Sequence, residues 1–366
     1  MSNTYDKQHI VEAAIQLRKQ GKTNTEISKI LDIPRSTLFD WIGGSVNKVY
    51  TTEEIVKDQD GNIISDNVYT KVYNDSSNDS DILKFLEEIK PIVYPAPTRS
   101  KVKQESTKTA IVIGDMHFGV EDWNTLNIFF EAVSQIKPEK VILNGDTLDM
   151  FAVSTYSKDV RYKQTLSDEI AAYHKFLKIL HDITEPWNAE IYETNANHSG
   201  NGQEGRWWRY LSKNLGEAAS LPQVQESLSY ENIFFPPKEW CRVKLVDEVI
   251  LPTNLIVHHG TVVRKHGGQS ARGEFDKIFA STITNHTHRI GLTSQTCPKT
   301  GNRPAQTFVN YENACACRLD PDYVKDPNWQ NGFSIVNYTD DVVGVEPVVV
   351  HGNKANINTI GKVIKV

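Results

Sequence analysis

Ala110-Ile111-Val112-Ile113-Gly114-Asp115-Met116-His117 runs from four consecutive apolar residues into a glycine, a carboxylate and an imidazole. A short apolar run reads as a strand buried on both faces, and the polar residues stand where that strand must stop. Four further segments repeat the design. Lys140-Val141-Ile142-Leu143 leads into Asn144-Gly145-Asp146-Thr147-Leu148-Asp149, and Glu190-Ile191-Tyr192 into Asn195-Ala196-Asn197-His198. Asn254-Leu255-Ile256-Val257 leads into His258-His259-Gly260, and Thr282-Ile283 into Asn285-His286-Thr287-His288. Helical stretches from Thr125 to Ile136 and from Ser167 to Leu180 lie between runs, so the region reads as an α/β sheet enzyme. In an open α/β sheet the C-terminal strand ends line one crevice. Residues far apart in the chain are therefore expected to converge on one site.

The residue types say what that site holds. Carboxylate, imidazole and amide ligands suit Mn²⁺, Fe²⁺, Ni²⁺ or Zn²⁺. One carboxylate can bridge two such ions and hold them about 3.5–4 Å apart, lowering the pKa of a bridging water and neutralising charge on an attacked phosphoryl group. Glycines beside Asp115, Asp146 and His259 let the backbone turn sharply. A lone Asp-x-His or His-x-His is weak evidence, and a lone Gly-Asp-x-x-Asp is often a turn with a helix cap. Six of the eleven histidines fall in these segments, however, which random placement does not produce.

The series resembles the calcineurin-like metallophosphoesterase superfamily, whose pattern is D-x-H, G-D-x-x-D, G-N-H-[DE], H-G and G-H-x-H. The resemblance covers Thr109 to Arg289 as motifs. It implies an αββα two-sheet sandwich with a dinuclear centre, most similar to the DNA-repair exonuclease branch. By position, Asp115, His117 and His288 would hold one metal, and Asp146 would bridge to a second completed by Asn197, His259 and His286. Mn²⁺ is the first choice. His198 would be the histidine that protonates the leaving oxygen or stabilises its charge, with Asp149 orienting it. His258 competes with His259; the family's ligand directly precedes glycine, which favours His259. Two positions depart from the pattern: Ser199 replaces the acid after the third-motif histidine, and Asn285 replaces the glycine of the fifth.

The chain ahead of these motifs differs in kind. Residues 1–44 read as three short helices: Ile10, Ala13, Ala14 and Leu17 recur at helical spacing before Gly21, and Thr23 or Asn24 can cap a second helix. The unit resembles the helix-turn-helix of resolvases, invertases and transposases. That resemblance places Arg35, Ser36 and Thr37 against base edges and Lys22 against phosphates. A helical module for protein contacts or dimerisation is the alternative, because the segment is only weakly basic. Residues 45–106 read as a β-hairpin about Asp60-Gly61, a polar linker, a short helix from Asp81 to Lys90 and a proline-bearing linker. Residues 107–350 would form the phosphoesterase domain, and 351–366 a C-terminal tail or added edge strand. The middle segment leaves room for a homodimer contact.

Composition narrows the field further. A net charge of −6 gives no global attraction to nucleic acid, so DNA binding must be local. No apolar run reaches the length of a membrane span, and no secretory leader is read at Met1. Cys241, Cys297, Cys315 and Cys317 show no zinc or disulfide spacing, which fits a cytoplasmic protein. Arg206, Arg264 and Arg272 flank the third and fourth motifs and are candidate substrate contacts. The expectation is a two-metal phosphodiesterase acting on DNA, a pairing found in phage and mobile-element proteins. A phosphomonoesterase or nucleotide phosphodiesterase acting on small molecules is a second reading. A DNA-binding regulator with a structural phosphoesterase domain is a third.

Overall fold

The computed structural model describes residues 7–42, 50–57, 63–71, 105–155, 164–202, 205–320 and 326–366. The expected hairpin turn at Asp60-Gly61 and the expected helix from Asp81 to Lys90 lie outside the described residues. The chain divides into two units, residues 1–101 and 102–366.

In the first unit, α1 (Lys7–Lys19), α2 (Asn24–Ile30) and α3 (Arg35–Ile42) close around Ala14, Ile27, Ile33 and Leu38. Thr23 starts α2 through a reciprocal capping box with Glu26, satisfying two backbone donors at once. Strands β1 (Tyr50–Lys57) and β2 (Ile63–Lys71) pair antiparallel.

The second unit is a four-layer sandwich. Its larger sheet joins β3 (Lys108–Ile113), β4 (Lys140–Leu143), β5 (Glu190–Thr194) and β6 (Val243–Val246) in parallel. On the other side of β3 the sheet continues antiparallel through β12 (Gly332–Tyr338), β13 (Val343–His351), β14 (Lys354–Ile357) and β15 (Lys362–Lys365). The smaller sheet contains β7 (Val249–Leu251), β8 (Leu255–Val257), β9 (Ser281–Thr284), β10 (Gly291–Cys297) and β11 (Gln306–Glu312), in the order β10-β11-β9-β8-β7.

Strand alternation assigns the layers. On β3, Ala110 and Val112 face the smaller sheet and pack with Val249, Leu255, Val257 and Ile283. Ile111 and Ile113 face the other way, onto α4 (Trp123–Ile136) and α5 (Leu166–Thr184). Asp122 caps α4 by accepting from the Thr125 amide, and Leu126, Phe129, Phe130 and Val133 form its buried stripe. Each such fully buried side chain contributes about 1.5–3 kcal/mol of transfer free energy. After α6 (Arg206–Leu215), α7 (Pro222–Ser227) and α8 (Tyr230–Phe234), α9 (Gln269–Ile278) packs on the far side of the smaller sheet through Phe275 against Phe308.

Of the two readings of residues 351–366, the tail is set aside and the added strand holds: β14 and β15 extend the larger sheet, and Ala355, Ile357 and Ile364 are buried in the core that contains the α4 stripe. The five apolar runs are divided between the two sheets. Three become β3, β4 and β5 of the larger sheet, whereas β8 and β9 belong to the smaller one.

Candidate metal centre

All five motif segments meet where the C-terminal ends of β3, β4, β5, β8 and β9 come together. Asp115, His117, Asp146, His259 and His288 are buried there, and His286 and Asn197 stand half-buried beside them. His117 Nε2 lies 3.2 Å from His288 Nε2 and 3.9 Å from Asp146 Oδ2, and His288 Nε2 lies 3.6 Å from Asp115 Oδ1. On the other side of Asp146, His259 Nε2 is 3.2 Å from its Oδ2 and 3.1 Å from Asn197 Oδ1. His286 joins Asp146 and His259 with donor atoms within 4.8 Å of one another.

This donor set fits two cations that share Asp146. Two facing imidazole nitrogens at 3.2 Å need a proton or a cation between them. Asp115 Oδ1 is fully buried with no hydrogen-bond partner among the described residues, an arrangement that costs free energy unless a positive charge meets it. Proton affinities show the same imbalance. Burial lifts Asp115 to about 6. Burial works against protonating His259, yet Asp146 and Asp115 outweigh it and raise the imidazole to about 9. Burial and the neighbouring His259 push His286 down to about 4, and burial above all drives His288 well below the ordinary range. His286 and His288 thus bring neutral imidazole lone pairs beside carboxylates that draw positive charge, as the raised His259 shows.

Backbone geometry aims these groups. Asp115, His117, Asp146, His286 and His288 all have positive φ, between 46° and 72°. Non-glycine residues in that region carry strain of about 1–3 kcal/mol each. Carboxylate oxygens brace the turns: Asp115 Oδ2 accepts from the His286 amide and Asp146 Oδ1 from the His198 amide, both at 2.9 Å. His259 donates from Nδ1 to the Asn144 carbonyl at 3.0 Å, so Nε2 faces the site. Of the two neighbouring histidines, His259 is the one that meets Asp146 and Asn197. His258 lines the cleft, but among the described residues its buried Nε2 has no hydrogen-bond partner and makes none of these contacts.

The structure brings His198 and Asp149 together as expected and adds an unexpected third member. Asp149 Oδ1 lies 3.2 Å from His117 Nδ1 and 3.3 Å from His198 Nδ1; the first contact is aligned as a hydrogen bond, the second is not. Arg206, at the start of α6 (Arg206–Leu215), donates to the Asp149 carbonyl at 2.6 Å and reaches its carboxylate at 3.4 Å. Arg206 therefore holds Asp149 through Nη1. Arg272 is likewise engaged, with Asp276 and Gln295, on the exposed face of α9. Arg264 is exposed, and its carbonyl accepts from buried Arg289, which also bonds the Lys265 carbonyl. That loop is pinned from within.

The departures from the motif pattern have structural partners. Ser199 is buried, and its hydroxyl accepts from the Thr147 amide at 3.3 Å, tying the third motif to the second. Asn285 donates to the Ala314 carbonyl and accepts from Asn144 Nδ2, each at 2.9 Å. Its amide lies so close to Gly114 that a Cβ there would come within 2.6 Å of Asn285 Cγ. Asn313 completes this buried amide ladder by donating to the Val112 carbonyl at 3.1 Å and accepting from Ser334. The ladder links both sheets beneath the site. Sequence reasoning missed the structural roles of Asn144 and Asn313 because neither is a candidate metal donor; Asn144 had only its position just after an apolar run as a signal, and Asn313 had none.

Beside His259 opens a cleft of about 310 Å³, lined by Asn195, Asn197, His258, His259, Thr261 and His286 among others. In the separate N-terminal unit, Lys22, Arg35 and Ser36 are exposed and Thr37 is half-buried.

No family model matches the chain, and no curated protein matches it in sequence. Among solved structures it is similar to vacuolar protein sorting 29 from Cryptosporidium parvum, at 15% identity and TM-score 0.36, over 69% of this chain and 96% of that one. It is similar to a Vps29 single mutant from Entamoeba histolytica at 11% identity and TM-score 0.33, over 70% and 98% of the two chains. A purple acid phosphatase from yellow lupin seeds gives 12% identity and TM-score 0.30, over 72% of this chain and 53% of that one. At these scores the likeness carries no argument, and the chemistry of the site rests on this chain's own atoms.

Proposed function

We propose that the chain is a two-metal phosphodiesterase that hydrolyses DNA. One observation carries the hydrolytic part: seven side chains from five strand ends converge as two adjoining donor sets that share Asp146. Asp115, His117, Asp146 and His288 would hold one divalent cation, and Asp146, Asn197, His259 and His286 a second, with Mn²⁺ the first choice over Fe²⁺, Ni²⁺ or Zn²⁺. When bound, such a pair polarises a phosphoryl group, neutralises its charge and acidifies water.

The chain's own residues do the rest. His198 stands outside both donor sets, and burial lowers its proton affinity. Its Nδ1 faces Asp149, which leaves Nε2 to hold or deliver a proton at the leaving oxygen. Asp149 steadies His117 and His198 together, and Arg206 steadies Asp149.

DNA as substrate rests on the N-terminal unit. Exposed Arg35 and Ser36 open α3 and Lys22 precedes α2, a disposition suited to base edges and phosphates. The size of the cleft favours the second reading, a small phosphoester, because about 310 Å³ is the scale of a small-molecule site.

An assay with added Mn²⁺ separates the two. Linear and circular DNA, single strands, bis-p-nitrophenyl phosphate and p-nitrophenyl phosphate are compared, with Asp146→Ala and His198→Ala as controls. DNA loss that both controls abolish, and that Arg35→Ala slows without changing small-ester hydrolysis, supports the proposal. Turnover of the small esters alone removes DNA from it.

A further inference from the structure

Helix α6 starts against the metal centre and carries an exposed face that the chemistry above does not use. Its Arg206 amide bonds the His198 carbonyl at 3.2 Å, and Arg209 Nη2 reaches the carbonyl of Asn197 at 3.3 Å. The two tryptophans have separate fates. Trp207 anchors the helix: its indole donates to the Leu228 carbonyl at 2.8 Å and its ring packs edge-on against Phe234. Trp208 points elsewhere. Half-exposed, it has no hydrogen bond or ring partner among the described residues, and it borders an open surface hollow with Arg209, Ser212 and Lys213. Among the described residues Lys213 has no ion pair, and α6 contains three cations and no acid.

We propose that this open helix face is a nucleotide subsite, in which a base stacks on Trp208 while the adjacent phosphate meets Arg209 and Lys213. The substrate role rests on the phosphodiesterase reading. The chemistry is that of single-strand recognition: an aromatic face accepts any base, and neighbouring cations follow the backbone. Helical geometry supplies the grouping. Trp208 and Ser212 are one turn apart, as are Arg209 and Lys213, so all four occupy one face. Arg209 links this face to the metal centre through Asn197. A strand whose scissile phosphate sits among the metal ligands would thus lay a neighbouring nucleotide on α6.

Binding is measured on the full chain in EDTA, where the two-metal centre cannot turn over. The probes are a fluorescein-labelled ten-nucleotide oligo(dT) strand, its duplex with oligo(dA), thymidine 5′-monophosphate and inorganic phosphate. Trp208→Ala is expected to weaken strand binding roughly 5- to 150-fold, the range for one base–aromatic stack. Trp208→Phe should recover most of it. Lys213→Gln should reduce the slope of log K against log salt by about 0.7, one phosphate contact on a single strand. Displacement of the strand by the mononucleotide means that a free nucleotide suffices, whereas resistance to it assigns the subsite to a strand. Strand affinities within twofold of the native chain for both Trp208→Ala and Lys213→Gln overturn the proposal, as does displacement by inorganic phosphate equal to that by the mononucleotide. Hydrolysis of bis-p-nitrophenyl phosphate reads the metal centre separately. Trp208-dependent binding in a chain inactive on that ester keeps the subsite and removes the phosphoesterase reading.

Discussion

Replacing Asp149 with asparagine tests how much of the site one buried oxygen organises. Three groups meet Asp149 Oδ1: His117 Nδ1 at 3.2 Å, His198 Nδ1 at 3.3 Å and Arg206 Nη1 at 3.4 Å. The side chain is nearly closed to solvent. Burial opposes its ionisation, but the contacts with His117 and His198 hold its proton affinity well below the ordinary carboxylate range. Asparagine keeps the shape and removes the charge. The anchor from Arg206 to the backbone carbonyl survives the change, so the loop should stay in place.

Each charge-assisted hydrogen bond is worth about 1.5–3 kcal/mol, or roughly 10- to 150-fold in an equilibrium. In the proposed site the His117 contact would orient a metal ligand, and losing such a support typically costs about 10- to 100-fold in metal affinity or activity. The His198 contact would act on the leaving oxygen instead, so it should appear in kcat even when metal is saturating, by about tenfold. Titrating Mn²⁺ by calorimetry and measuring kcat on bis-p-nitrophenyl phosphate at saturating Mn²⁺ separates the two effects. Circular dichroism confirms the fold. A variant whose metal affinity and kcat both stay within about threefold of native would falsify the assignment of Asp149 as the common support. The sign of the acid limb follows from the same shift. A depressed carboxylate contributes stability above its unfolded pKa of about 3.9 and loses it as pH falls toward its folded value, so Asp149→Asn should flatten the fall in stability below pH 4.

Gly145→Ala places a Cβ 2.7 Å from both His259 Nδ1 and Ala196 Cβ, at a backbone φ of +76°. It should lower Tm and cut activity at least tenfold, and thermal melts with parallel kinetics check both effects. Burial pushes Glu169 up to about 8 while it accepts from the Met150 amide. A raised carboxyl contributes stability that is complete below about pH 4.3 and is lost as pH climbs through 8. Glu169→Gln should therefore flatten that decline and melt at or above the native temperature at pH 8.5; an unchanged slope between pH 5 and 9 refutes this. Chelation should abolish hydrolysis and lower Tm reversibly, since a ligand at 100 times its dissociation constant stabilises the folded state by about 2.7 kcal/mol. A Tm indifferent to EDTA and Mn²⁺ would show that the cluster binds no metal.

Most of the site was legible because its chemistry depends on residue type. Asp115, His117, Asp146, Asn197, His259, His286 and His288 are polar groups placed at the ends of apolar runs, and the fold brings all seven together. Strand existence was equally legible: the run from Lys140 to Leu143 is β4 residue for residue. What pattern alone could not give was the partition of strands between sheets. A fully apolar run looks the same in either layer, and β8 and β9 have residues facing inward toward β3 much as β4 does. Arginine roles were illegible for a related reason. Arg206, Arg264 and Arg272 all look like free cations in sequence, but a guanidinium bonds whatever oxygen the fold brings near it, and only coordinates reveal Asp149 beside the first and Asp276 beside the third.

The deeper gap between sequence and site lies in the backbone. A search for turn signals finds Gly145 and Gly260, which relieve two strand ends at little steric cost. It does not find Asp115, His117, Asp146, His286 and His288, five donor residues that enter the left-handed region with full side chains. Glycine would be the conformational choice at each position, yet glycine has no ligand atom. The strain, about 1–3 kcal/mol per residue, must be offset elsewhere, and the structure shows where. The Asn144–Asn285–Asn313 ladder and the carboxylate-to-amide bonds of Asp115 and Asp146 fix the turns from beneath. Cations drawn to Asp115 and Asp146 would hold them from above. The residues most costly for the fold are therefore those the proposed chemistry would require, which is why the candidate donors could be picked out in the sequence while the means of holding them could not.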